Sequence, residues 1–329
     1  MSRDRPNSLE EVRDAAERLG HRLVSSRRQG PRRPRLRRDR PESARRRSPI
    51  GYLFVGGYAV LLGVVGLWPA GYALNLALTT FDGAFSGLAN FTGSYNQGFL
   101  IAAFEHVGEF LAIWLTALMV MVLGLSLLMH TMARRVSVAL RFLFYVPAAF
   151  AGSASVLLWL FLLQPGLSPW DFVLHALGYR TLGDSLISGN LPIIYALIAF
   201  WTGAGSWILV IHGALTNVPE EVLEAASLDG AGPLQTALRV KLPMIKKWIV
   251  YMLIVAFAGG TQLFAEPQLV SVANLGLVSP VWSPNTLATY LAFQYNNFNW
   301  AAAISIDLLV VAFVCAGVLV FRTRLFKAD

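Results

Sequence analysis

The chain has 329 residues, of which 55% are hydrophobic and only 14% are charged, which excludes an ordinary soluble protein and indicates an integral membrane protein. The net charge of +8 is concentrated at one end, because sixteen of the 27 Lys and Arg residues lie in the first 50 positions. A single cysteine, Cys315, excludes an internal disulfide.

Residues 1–49 are predicted to form an Arg-rich cytoplasmic tail. Ser8–Val24 carries apolar residues at helical spacing, which predicts an amphipathic helix, and Arg27–Arg47 is rich in Arg and Pro, which predicts disorder. The favoured interpretation is a solvated extension whose charge enforces topology. The alternative is attachment to anionic membrane lipid, worth about 1 kcal/mol per basic residue near the surface. Nucleic-acid binding is disfavoured because no aromatic residues are interleaved with the arginines.

Residues 50–326 are predicted to form an all-α transmembrane domain. A bilayer core of about 30 Å requires about 20 apolar residues in a helix, and six segments meet that requirement. The predicted spans are Tyr52–Thr79, Phe110–Met129, Phe142–Leu163, Leu191–Leu215, Trp248–Val270 and Trp300–Phe321.

The distribution of positive charge predicts the orientation of these spans. With six crossings both termini lie on one side, together with 26 of the 27 Lys and Arg residues, while the opposite side receives only Arg180. Cytoplasmic loops carry the excess of Lys and Arg. We therefore expect a multi-pass protein of the cell membrane whose two termini are cytoplasmic.

The cytoplasmic loop of residues 217–243, between the fourth and fifth spans, has the pattern of a short helix. Pro219, Glu220 and Glu221 suit the start of a helix, and Gly230 suits the left-handed residue that ends one. Leucines in the following segment are expected to pack it against the underside of the membrane domain. They are Leu234, Leu238 and Leu242.

The same loop resembles the EAA loop of binding-protein-dependent ABC import permeases. That family has Glu-Ala-Ala, three residues, Gly, nine residues, Ile, one residue and Leu-Pro, and this chain differs only by Val240 in place of Ile. The predicted ATPase-coupling residues are Glu220, Glu221, Glu224, Ala225, Ala226, Asp229, Gly230, Leu242 and Pro243.

The resemblance covers roughly Gly51–Leu325. Leu263–Pro267, Asn285–Leu291 and Ala301–Ser305 look like the C-terminal part of carbohydrate-uptake permeases, most of all the maltose-type first subunit. The resemblance implies a type I ABC importer permease fold whose EAA loop is a coupling helix in a cleft of an ATPase subunit. It also implies four partners: a second permease subunit, two ATPase subunits and an extracytoplasmic solute-binding protein.

No catalytic centre is evident in the sequence. No Gly-x-x-x-x-Gly-Lys-Ser/Thr phosphate loop is present, and the five His residues are scattered without metal-ligand spacing. We therefore expect a catalytically silent subunit that binds no metal and no cofactor, with ATP and Mg²⁺ on the partner subunits. His212, near the end of the fourth span, is interpreted as a packing residue.

Several residues are candidates for the substrate pathway. Asp307 lies about two turns inside the sixth span, where a charge costs on the order of 2.5–3.5 kcal/mol, so it must face protein or water. It either lines the pathway or makes an interhelical hydrogen bond, for example to Gln262. Polar Gln262 and Glu266 with the rings of Phe264 and Trp201 suit a sugar, although such rings also pack in cores. The six spans contain no Lys or Arg, which favours a neutral solute.

Two other functions remain open. A self-sufficient secondary transporter would use Asp307, or the pair Glu105 and Glu109, for proton coupling. Glu105, His106 and Glu109 also suit a hydrated helix end without any function. A membrane-embedded enzyme would need polar catalytic residues concentrated at one depth, and the sequence shows no such group.

Overall fold

The structure, a computed structural model, describes residues 49–150, 152–187, 189–273 and 278–323, with backbone alone at 49–54, 319, 322 and 323. The predicted tail therefore lies outside the described residues, apart from Pro49. The chain divides into two compact units, Met1–Leu61 and Leu62–Asp329. In the first unit the described backbone is helix α1 (Pro49–Leu61).

The described part of the second unit is helical, apart from one isolated antiparallel bridge between Thr79 and Phe85. Short π-helical turns cover Leu62–Leu67, Leu118–Val122 and Ala237–Lys241, and a 3₁₀ turn covers Val146–Ala149. The α-helices, in chain order, are α2 (Trp68–Ala77), α3 (Ala89–Asn96), α4 (Phe99–Ala117), α5 (Leu123–Thr131), α6 (Arg134–Tyr145), α7 (Gly152–Leu162), α8 (Asp171–Ala176), α9 (Leu182–Ser185), α10 (Leu191–Thr216), α11 (Glu220–Leu228), α12 (Pro233–Thr236), α13 (Leu242–Met244), α14 (Lys246–Gly260), α15 (Ala265–Ala273), α16 (Pro284–Gln294) and α17 (Phe298–Thr323).

Four helical stretches of the described chain are long and apolar enough to cross a membrane by themselves: Val55–Ala77, Phe99–Thr131, Leu191–Thr216 and Phe298–Val318. They correspond to the predicted first, second, fourth and sixth spans. Two further helix pairs qualify only when each bent pair is taken as one span, so the described residues carry four to six spans.

The third predicted span, Phe142–Leu163, is not one straight helix. Helix α6 ends at Tyr145, a 3₁₀ turn follows, and Phe150 has an extended backbone with ψ of 134°. Pro147 accounts for the break, because proline lacks the N–H of the helical hydrogen bond and its ring crowds the preceding turn. The helical path resumes in α7.

The fifth predicted span, Trp248–Val270, is also interrupted. Helix α14 ends at Gly260, and a separate helix, α15, begins five residues later. A larger residue at Gly260 would force Leu111 and Trp114 to move, since an added Cβ would lie 2.5 Å from Leu111 Cδ2 and 2.7 Å from a ring carbon of Trp114. At its other end α14 follows a 70° bend from the Pro233–Met244 segment, next to the buried Ile245.

Helix α10 forms the centre of the second unit. It packs against α4, α5, α6, the 3₁₀ turn, α7 and α14. Its most buried apolar side chains, each at most 2% exposed, are Leu191, Tyr195, Ile198, Ile208, Ile211 and Leu215. A smaller apolar group forms where α17 packs against α16, around Leu100, Leu287 and Ile304. The core is therefore organised around one long, continuous helix.

The approach of α10 to α6 depends on Gly205. A Cβ at this position would overlap the carbonyl group of Phe144 and lie 2.7 Å from the Cα of Tyr145, so only glycine lets the two backbones meet. Gly203, one half-turn earlier in the same helix, has no atom within 4 Å of its Cβ position.

We expect Gly205→Ala to lower the free energy of unfolding by about 1–3 kcal/mol, because the added methyl group meets rigid backbone and forces the helices apart. Gly203→Ala is the matched control and is expected to be neutral or stabilising by up to about 1 kcal/mol, through helix propensity. Thermal unfolding of the full chain in detergent, followed by tryptophan fluorescence, measures both. Equal losses of stability in the two variants would contradict the close approach.

Candidate functional site

The predicted coupling helix is present as α11, and it begins where the sequence predicts. Pro219 is the residue before the helix, with φ of −60° and ψ of 137°, and Glu220 and Glu221 occupy the first turn. The partial positive charge at a helix N-terminus favours carboxylates there. The start of α11 is thus stabilised by its own first residues.

The end of α11 is a Schellman motif centred on Gly230. The Gly230 N–H donates to the Ser227 carbonyl at 3.0 Å, and the Ala231 N–H donates to the Ala226 carbonyl at 3.0 Å. Gly230 has φ of +80°, the left-handed conformation that this motif requires and that the sequence predicts. The motif satisfies the last carbonyls of α11, so the helix ends at a defined residue and the chain reverses.

Helix α11 and the segment that follows it are each anchored to the core. Leu223 of α11 and Leu242 of α13 both pack against the main buried cluster, and Ile245 beyond them is 2% exposed. The prediction that Leu234 and Leu238 also pack there is wrong, because they are 73% and 53% exposed. A π-helical turn at Ala237–Lys241 interrupts the regular helical spacing that would place them on the same face as Leu242.

The rest of the coupling segment is presented to the outside. Ala226 is half-buried, whereas the other predicted contact residues of α11 and its cap are exposed, and Leu228 is 89% exposed. Small side chains at Ala225 and Ala226 allow a partner surface to approach the helix backbone closely. The exposed predicted residues are Glu220, Glu221, Glu224, Ala225, Asp229, Gly230 and Pro243.

The predicted pathway residues fall into three groups. Gln262, Phe264 and Glu266 lie together at the break between α14 and α15. Trp201 lies in α10 and packs in an aromatic cluster, with its ring 5.8 Å from that of Phe150. The Trp159 ring meets the Trp201 ring edge-on at 6.4 Å. These two ring contacts support packing as the role of Trp201.

Asp307 is half-buried in α17, and its Oδ2 atom is buried without a hydrogen-bond partner among the described residues. The hydrogen bond to Gln262 that the sequence allows does not form at this atom. Burial, and the nearby carboxylate of Asp307, raise the pKa of Tyr95 in α3. The Asp307 carboxylate therefore lies near Tyr95 of α3.

The Glu105–His106–Glu109 group does not form a shared site. Both carboxylates are exposed on α4, whereas the His106 ring stacks on Trp282 at 5.1 Å and its Nδ1 lies 3.1 Å from the Trp282 carbonyl oxygen. Trp282 in turn meets the fully buried Tyr195 edge-on at 4.7 Å. This stack of three rings was not predicted, although a tyrosine near the start of an apolar span is the sequence signal for it.

Solved structures share this fold. A chain of a bacterial alginate ABC transporter, solved with an alginate pentasaccharide-bound periplasmic protein, matches with a TM-score of 0.72 at 18% identity. The match covers 86% of this chain and 97% of that chain. The architecture is thus that of an ABC transporter permease subunit, as the sequence predicts.

Sequence relatives give the family. The sn-glycerol-3-phosphate transport system permease protein UgpA of Yersinia pseudotuberculosis is 30% identical over 221 residues, which are 63% of this chain and 71% of that protein. UgpA of Pectobacterium atrosepticum is 28% identical over 260 residues, covering 74% and 82% of the two chains. No protein-family model matches the chain. The chain belongs to the family of ABC importer permease subunits, which are membrane transport components.

The conformation of Gly230 gives a local prediction. We expect Gly230→Ala to speed amide hydrogen exchange in the α11 cap about fivefold, because a left-handed alanine costs on the order of 1 kcal/mol. Gly232→Ala is the control, since Gly232 has φ of −69° and open space at its Cβ position. Exchange measured by mass spectrometry on residues 220–232 distinguishes them. Unchanged exchange in Gly230→Ala would exclude the left-handed cap.

Proposed function

We propose that this chain forms half of the translocation pathway of an ATP-driven importer for a sugar or oligosaccharide, and that α11 is its coupling helix. The observation that carries the proposal is mechanical. Helix α11 is exposed, ended by a defined hydrogen-bonded cap, and fixed to the core through Leu223 and Leu242. A force applied to α11 is therefore transmitted to the core rather than absorbed by a flexible loop.

In this proposal, other subunits bind and hydrolyse ATP. The sequence has no phosphate-binding loop, and within the described residues no group of His, Cys, Asp and Glu is arranged to hold a metal ion. Two ATPase subunits would bind ATP and Mg²⁺, and a cleft of one of them would receive α11. Glu224 is placed to pair with a cation of that subunit, while Ala225 and Ala226 allow close approach. The chain itself is proposed to be catalytically silent.

The proposed orientation puts α11 and both termini in the cytoplasm. The charge distribution along the sequence supports this orientation, since cytoplasmic loops carry an excess of Lys and Arg. A second permease subunit would complete the pathway, and an extracytoplasmic solute-binding protein would deliver the solute to the opposite face. The alginate transporter, which was solved with a periplasmic protein, supports the latter partner. In the proposed division of the chain, residues 1–49 form the tail, 50–326 the permease domain and 217–243 the coupling loop.

A neutral solute fits the proposed pathway better than an anionic one. Asp307 is the charged residue of the last span, and the four long spans contain no Lys or Arg. An anion buried without a cation or hydrogen-bond donors is strongly destabilised, and Asp307 adds repulsion. The names of the similar proteins concern sn-glycerol-3-phosphate and alginate, an acidic polysaccharide, and both of these solutes are anionic. This chain is proposed to differ from those proteins by transporting a neutral solute. Gln262, Glu266 and the ring of Phe264 are proposed to contact the sugar.

The coupling role of α11 is tested by charge reversal. We expect Glu224→Arg to abolish ATP-dependent uptake and to weaken retention of the ATPase subunits, while membrane insertion is unchanged. Glu105→Arg is the matched control, because Glu105 is equally exposed but lies at the outer part of α4. Uptake by the reconstituted assembly, with ATPase retention measured by affinity purification, gives both results. Normal transport by Glu224→Arg would refute the assignment of the loop.

The choice of solute is tested by competition. In the reconstituted assembly with its solute-binding protein, we expect neutral oligosaccharides to inhibit labelled uptake at concentrations at least tenfold lower than their phosphorylated or uronate counterparts. The physical reason is the lack of a cation to replace the hydration of an anion. The neutral and anionic members of each pair share the same ring size and linkage, which controls for shape. Preferential uptake of the anionic member would reject a neutral solute.

A further inference from the structure

We propose that a phosphate group binds in a cavity at the junction of α5, α6 and α10, on the side of the molecule from which α11 emerges. The cavity has a volume of about 310 Å³. Its polar lining consists of His130 at the end of α5, Arg134, Ser137 and Arg141 on α6, and His212 and Thr216 on α10. These residues are not part of the coupling segment or of the candidate pathway.

The first argument is the sign of the charge. Arg134, Ser137 and Arg141 are spaced so that they share one face of α6, and His130 on the facing helix lies 3.1 Å from the Lys241 ammonium. The Nε of Arg141 donates to the Ser137 carbonyl oxygen at 3.2 Å, which orients its guanidinium group. Among the described residues, no carboxylate lies within ion-pair distance of these cations. The cluster is therefore positively charged without an internal counter-ion.

The second argument is the backbone of α6. Ala133 precedes this helix of 12 residues and cannot cap it, and no side chain accepts from its first N–H groups. Its first turn has no acidic residue and instead begins with Arg134 and Arg135. A cation beside the positive end of a helix is unfavourable, and an anion bound at the Arg134 side chain, which lines the cavity, would offset this repulsion. Helix N-termini with free N–H groups are common binding sites for phosphate.

The third argument is unsatisfied hydrogen bonding inside the cavity. The Oγ atom of Ser137 and the Nδ1 atom of His212 are both buried and have no hydrogen-bond partner among the described residues. The two residues are 4% and 5% exposed. A buried polar group without a partner costs about 1–3 kcal/mol, so a ligand that supplied partners to both atoms would stabilise the folded protein. His212 is buried as a packing residue would be, but it also lies beside Ser137 and two arginines, Arg134 and Arg141, in the lining of the cavity.

A phosphate group satisfies all three features together. Its oxygens accept from Arg guanidinium groups, from free N–H groups at the start of α6 and from the Ser137 hydroxyl, and its charge offsets the cluster. Two sources provide this chemistry, a free phosphate ester and the headgroup of an anionic phospholipid. The test below separates them.

The experiment is a thermal-shift titration of the full chain in a neutral detergent, with sodium phosphate replacing sodium chloride at constant ionic strength. Binding to the folded state raises the melting temperature in a saturable way. We expect Arg134→Gln to raise the apparent Kd for inorganic phosphate about tenfold, the effect of losing one charge-assisted hydrogen bond. Arg135→Gln is the control, because it removes the same charge from the next residue, which does not line the cavity. Its Kd is expected to change less than about twofold.

A second variant separates binding from folding. Ser137→Ala is expected to weaken phosphate binding severalfold, whereas the ligand-free protein becomes no less stable, because the substitution removes a buried hydroxyl that has no partner. A merely structural serine would instead lose stability without phosphate and keep its affinity. That result would overturn the proposal.

The source of the phosphate is found by adding phosphatidylglycerol to the micelles. Stabilisation by the lipid that abolishes the response to inorganic phosphate identifies the headgroup as the occupant, and a persistent response identifies a free phosphate. Three results would reject the site. They are no greater response to phosphate or phosphatidylglycerol than to chloride, equal losses in Arg134→Gln and Arg135→Gln, or loss of ATPase subunits from Arg134→Gln without a phosphate response. The last result would assign the cluster to a carboxylate of a protein partner.

Discussion

The packing of α10 is the interaction on which the rest of the structure depends. This helix is buried along most of its length, contacts five other helices, and meets α6 backbone to backbone at Gly205. Only Asn217, Val218 and Pro219 separate its end from the start of α11, and Val218 is itself buried. Displacement of α11 by a partner would therefore act directly on the helix around which the others are arranged. Close-packed interiors transmit such strain because they have little free volume to absorb it.

Buried polar atoms without partners mark the places where this subunit is incomplete. One of them is Asp307 Oδ2 in α17, and two others, Ser137 Oγ and His212 Nδ1, belong to residues that line the cavity beside α6. Such atoms are costly in an apolar environment, so a stable protein retains them where a ligand, water or another subunit can complete them. The large apolar side chains exposed on the long helices are explained by a membrane, in which lipid replaces water around them.

The sequence predicted local features well where one physical signal dominates. The four uninterrupted spans follow from long apolar runs, and both ends of α11 follow from Pro219 and Gly230, whose preferences are set by their own backbones. It predicted the third and fifth spans less well, because hydropathy continues through Pro147 and Gly260 while the helix does not. It also predicted that Leu234 and Leu238 pack with Leu242, because an uninterrupted helix places all three on one face, whereas a π-helical turn covers Ala237–Lys241.

The amino-acid sequence by itself determined the membrane class, the family resemblance, the charge asymmetry and the ends of the short helix α11, because each of these depends on the order of residues along the chain. Only the tertiary structure decided which polar residues meet. His130, Ser137 and His212 are separated along the sequence and belong to three different helices, and their convergence depends on a glycine that lets α6 approach α10. Such contacts between distant segments are set by helix packing, and no local pattern in the sequence records them.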